Sequence, residues 1–101
     1  MNITVTQPAI KWFQEEMNAS NGDAIRFFAR YGGHSQIQSG FSLGLSKTKP
    51  AEIGASADIE GITFFVEEKD LWYFKDHHLH VKYSRKSKEI EFDYKELEES
   101  E

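Results

Sequence analysis

The chain has 101 residues, 39% of them hydrophobic and 14% aromatic, with a formal net charge of −5. That length supports a single core, and that aromatic content argues against disorder. There is no cysteine, which excludes disulfides, thiolate catalysis and cluster or zinc sites built on Cys.

Ile3, Thr4 and Val5 predict a short opening strand. Thr6 or Gln7 then precedes Pro8, a residue tolerated in a first helical turn because its missing N–H would have had no partner there. Ala9, Ile10, Phe13 and Met17 follow at helical spacing and predict an amphipathic helix of about three turns, with Trp12 flanking the stripe. The segment NASNG (18–22) stops it. Residues 24–31 alternate as a strand: Ile25, Phe27, Ala29 and Tyr31 face one way, Arg26, Phe28 and Arg30 the other.

A glycine-rich segment, GGHSQIQSG (32–40), leads to a strand carrying Phe41, Leu43 and Leu45. Residues 51–60 are weakly patterned and accommodate one short strand. ITFFVE (62–67) is a strand entered through Gly61, and residues 68–76 break into a short helix. Leu79, Val81 and Tyr83 then alternate with His78, His80 and Lys82, and Ile90, Phe92 and Tyr94 with Glu91 and Asp93. This is a hairpin, and one of two matched registers sets His80 opposite Asp93 and Lys82 opposite Glu91. The expectation is an α+β domain, mostly β, over residues 1–95, with about six strands, followed by an acidic tail at 96–101.

Lys82, Arg85, Lys86 and Lys88 form a basic cluster immediately before a run of acidic residues. It reads as a solvated hairpin loop or as a docking surface for a charged partner protein. The net negative charge predicts no nucleic-acid partner. No apolar run approaches the roughly 20 residues of a membrane helix, and MNITVTQPAIKW lacks a secretory pattern, so no membrane association is expected.

The turn at Gly32, Gly33, His34 and Ser35 is the most unusual local feature. Two glycines let the backbone approach a ligand closely, and they present an imidazole. The candidate roles are a metal ligand, an anion-binding turn helped by Arg26 and Arg30, or a plain tight turn. His78 and His80 share a strand face and form a second metal candidate, which needs a third ligand such as Asp93 or His34. Imidazole and carboxylate donors suit iron or zinc. No G-x-S-x-G elbow, P-loop, H-E-x-x-H or dinucleotide fingerprint is present. Glu67 and Glu68 point to opposite faces of an extended strand and make no acid–base dyad. The chain is therefore not expected to be an enzyme.

The order of elements resembles the HesB/IscA-like domain, the A-type iron–sulfur carrier family. Ala9-Ile10-Lys11 opens the helix as in that family, and Gly33-His34-Ser35-Gln36-Ile37 stands where it has G-C-S-G and an apolar residue. Residues 62–66, 70–74 and 79–83 continue the match, which covers nearly the whole chain. The resemblance implies a small HesB-like β-barrel or sandwich with a packed N-terminal helix and a short second helix. It also implies a cytoplasmic location and a link to iron–sulfur assembly. The departures are specific. His34 replaces the first family Cys, Gln36 replaces a glycine, and the end, KELEESE, has no C-x-C. A cysteine-less branch with the same ARYGG turn is similar. The expected function is a non-catalytic relative of the cluster proteins, without a cluster, binding metal weakly through His34. The alternative is a module that uses residues 32–40 to bind a protein, an anion or a small molecule.

Overall fold

A computed structural model describes residues 1–97. The opening strand, β1 (Ile3–Val5), runs directly into helix α1 (Gln7–Glu16). Thr6 caps that helix through its hydroxyl, which accepts the Ala9 N–H at 3.4 Å, and Pro8 sits in the first turn. Ala9, Ile10 and Phe13 are buried, so the helical stripe is core, and Asn18 ends the run at a φ of 55°.

The remaining elements are β2 (Ala24–Tyr31), β3 (Phe41–Lys47), β4 (Ile53–Ile59), β5 (Ile62–Glu67), a 3-10 helix (Glu68–Phe74), β6 (His77–Ser84) and β7 (Glu89–Glu96). They form two sheets, one ordered β3-β2-β5-β4 and one ordered β1-β6-β7. Ile25, Phe27, Phe64 and Val66 lie on one face of the larger sheet and pack with Phe13 of α1 and with Leu79 and Val81 of β6. Phe27 is central: its ring centroid lies 6.3 Å from Phe13, 6.2 Å from Phe64 and 5.9 Å from Phe92 on the opposite sheet.

Four features differ from expectation. The sheets do not close into a barrel; the sandwich form holds, with β3 and β7 each left as an edge. The weakly patterned stretch holds a full seven-residue strand, β4, which raises the strands to seven among the described residues. Its small residues have a packing cause. A Cβ on Gly54 would meet Leu71 Cδ1 at 2.8 Å and the Glu68 backbone at 3.0 Å, so the 3-10 helix docks only on a strand kept thin there. Tyr31, expected to face the core with Ile25, is 88% exposed. The reason is register: β5 pairs only with Ala24 to Phe27, and beyond them β2 pairs with β3 alone. Lastly, β7 runs to Glu96, one residue into the segment read as tail, and residues 98–101 lie outside the described residues.

The hairpin register is the charge-matched one, with His80 opposite Asp93 and Lys82 opposite Glu91. Lys82 Nζ reaches diagonally to Asp93 Oδ2 at 3.0 Å, and that hydrogen bond and its charge hold the ammonium pKa above its ordinary value.

Candidate functional site at the glycine loop

Residues 32–40 join β2 to β3 and are pinned at their base by Gly32 N–H donating to Gly40 O at 2.8 Å. Gly33 has φ +76°, and a Cβ there would meet Ser42 Oγ at 2.9 Å, so both the turn and the close approach select glycine. Ser35 is the internal tie. Its Oγ donates to Gln38 O and accepts from Gln38 N–H, both at 3.1 Å. The Ser35 hydroxyl, a candidate ligand contact, is thus engaged in shaping the loop.

His34 is exposed and stands at the rim of a pocket of about 270 Å³. The pocket lies between the edge strands: Ser42 and Leu43 come from β3, Phe92 and Tyr94 from β7. Tyr94 Oη is 3.1 Å from Tyr73 Oη. Burial first, and that hydrogen bond second, push the Tyr94 phenol far above its ordinary pKa, so it stays protonated and neutral. An aromatic row borders the loop. Tyr31 packs edge-on against Phe41 at 5.6 Å, and Phe41 against the half-exposed Trp72 at 5.1 Å.

The two arginines have separate tasks. Arg26 Nη2 donates to Asp70 Oδ2 at 2.8 Å beneath the 3-10 helix, and its guanidinium lies over Phe28 at 5.3 Å. Arg30 Nε donates to Ser42 Oγ at 3.3 Å, which keeps it beside the loop and the pocket wall. Sequence alternation placed both on one face but carried no signal for Asp70, 44 residues away, as the partner of Arg26.

His78 and His80 do share a strand face, but both Nδ1 atoms turn to the opening segment, at Asn2 and at Thr4 of β1. Asn2 N–H donates to His78 Nδ1 at 2.8 Å, and Thr4 Oγ1 lies 2.6 Å from His80 Nδ1. Asp93, the proposed third ligand, is held by Lys82. His77 Nδ1 is bonded to the Phe74 and Lys75 carbonyls. Among the described residues no three His, Asp or Glu side chains converge as a metal site. With no thiolate in the chain, this donor set does not fit an iron–sulfur cluster.

A carrier-type β sandwich with a packed N-terminal helix, its glycine turn carrying an imidazole, defines the class. The model of the iron-sulphur cluster biosynthesis family matches residues 1–97, and the chain belongs to that HesB/IscA family. The fold is that of Escherichia coli SufA, a protein involved in biosynthesis of iron-sulfur clusters. The two align with a TM-score of 0.62 at 18% identity over 92% of this chain and 78% of SufA. Among curated relatives, a Bacillus subtilis protein named pyruvate dehydrogenase inhibitor is 51% identical over 93% of this chain and 99% of its own length. An uncharacterized Staphylococcus saprophyticus protein is 42% identical over 80% of this chain and 86% of its own length. Among the described residues no helix is long and apolar enough to cross a membrane.

Proposed function

We propose that the chain is a non-catalytic member of its family that acts by binding another protein, and that its target is pyruvate dehydrogenase. The observation that carries this reading is the donor set of the glycine loop: a carrier scaffold presents one exposed imidazole where cargo chemistry needs thiolates. What the scaffold does offer is the row Tyr31, Phe41 and Trp72, in which Tyr31 and Trp72 are exposed, and Tyr and Trp are enriched at the energetic centres of protein interfaces. The target comes from the Bacillus subtilis relative named as an inhibitor of that enzyme.

The test is turnover of pyruvate by the host's purified pyruvate dehydrogenase, with the untagged chain titrated in. Saturable inhibition is expected, and an unchanged rate at large molar excess overturns the reading. The same assay addresses a second reading, weak iron or zinc binding through His34, which the exposure of that imidazole at the pocket rim favours. Inhibition is expected to survive both a chelator and His34→Ala. Loss of inhibition under both would transfer the activity to a metal-bound form.

A further inference from the structure

The basic cluster in the hairpin turn has no role in the site above, yet it borders a groove. Between α1 and the end of β6 lies a cavity of about 560 Å³ that shares no lining residue with the glycine-loop pocket. The half-buried rings of Trp12 and Tyr83 contribute its apolar surface, with Pro8 at one end. Arg85 and Lys88 supply cations from the turn, and Lys11, Glu15 and Glu16 line the helix lip. The turn that carries them is tightly built: Lys88 N–H donates to Ser84 O at 2.7 Å and Ser87 N–H to Ser84 Oγ at 3.2 Å, with Lys88 at a φ of 61°. The two charges are therefore presented from a set backbone.

Charge balance then selects the occupant. Lys11, on the helix lip, lies 4.0 Å from Glu15, its own partner. Among the described residues Arg85 and Lys88 have no carboxylate within salt-bridge distance. The lining then holds three cations, Lys11, Arg85 and Lys88, against two carboxylates, Glu15 and Glu16, and an outside anion complements the two cations of the turn beside the aromatic rings. Size narrows the class. The helix lip from Pro8 to Glu16 is about 12 Å long at 1.5 Å per residue. About four residues of extended peptide cover that length.

We propose that this groove seats a short acidic segment of a partner protein, with an apolar side chain against Trp12 and Tyr83 and carboxylates on Arg85 and Lys88. The assignment is independent of the pyruvate dehydrogenase reading and stands or falls with a direct binding measurement. The probes are acetyl-Glu-Phe-Glu-Asp-amide, its inverse acetyl-Lys-Phe-Lys-Lys-amide, and adenosine monophosphate, each titrated into the isotope-labelled chain by amide NMR. The acidic peptide is expected to move the Trp12 indole N–H and the amides of residues 84–88. Its affinity should fall several-fold in Arg85→Glu/Lys88→Glu, and also with added salt. Both substitutions lie in an exposed turn, and unchanged signal dispersion elsewhere verifies the fold. Silence with the acidic peptide at millimolar concentration overturns the proposal, as does an equal response to the lysine peptide. A response to the nucleotide alone also overturns it and makes the groove a small-anion site.

Discussion

At the scale of single residues, carboxylates do the most specific work, and Glu67 shows how. It ends β5 almost fully buried, and its two oxygens accept the Ala51 N–H at 2.9 Å and the Glu52 N–H at 2.7 Å. Those two backbone bonds hold its pKa below the ordinary glutamate value. A carboxylate whose native pKa is lowered stabilises the fold above its unfolded pKa and loses that contribution as pH falls through the native one. Glu67→Gln is accordingly expected to be less stable than the parent at neutral pH, with the gap closing as pH drops below the ordinary glutamate pKa and through the lowered native one. Thermal melts of both proteins across acid pH check this, and a gap independent of pH refutes it. Little of this was readable beforehand. The strand pattern placed Glu67 and Glu68 on different faces, but the amides that Glu67 satisfies arrive from 15 and 16 residues upstream through a loop with no period. The glycine turn was legible because a left-handed backbone leaves a compositional mark; the Ser35–Gln38 tie inside it does not.

At the scale of elements, the 3-10 helix and the sheet are joined by the Arg26–Asp70 pair, whose side chains are 23% and 9% exposed. Arg26 Nε is buried without a partner, so its charge depends on this one carboxylate and on the Phe28 ring. Removing a partner from a buried pair leaves an uncompensated charge. Asp70→Asn should destabilise the fold by about 3 kcal/mol. Arg26→Met/Asp70→Leu should recover most of that, since an apolar replacement of both partners leaves no orphan charge. Urea melts of the two variants decide the matter; equal losses in both would mean that packing, not charge, holds the helix. The same contact explains why β4 was faint in the sequence. A strand that must admit a helix at Gly54 gives up large side chains, and with them the alternation by which strands are recognised. Strands with bulky inward residues, such as β5 and β6, kept that signal and were legible in place.

For the whole molecule, Phe27 is the common contact of α1, both strands of the central parallel pair and the opposing sheet. Phe27→Ala removes a fully buried ring and is expected to cost about 3–5 kcal/mol. That is a large share of the roughly 5–15 kcal/mol that a domain has in total. The urea midpoint should fall with an unchanged slope; a loss under about 1 kcal/mol would show that the core collapses around the gap. The layered α+β class followed from counting periods, since one amphipathic helix cannot cover this many strands unless sheets cover one another. Barrel against sandwich could not be settled that way. Closure depends on whether β3 reaches β7 and β4 reaches β1, pairings between edges that no local pattern encodes.

The open flank leaves those edges unequally defended against growth into fibrils. β7 carries charge at five of its eight positions, Glu89, Glu91, Asp93, Lys95 and Glu96, which repels an approaching strand. β3 has only Lys47 among seven. On that flank β3 is the weaker barrier to an approaching strand, and one added lysine there would do more against edge pairing than further charge on β7.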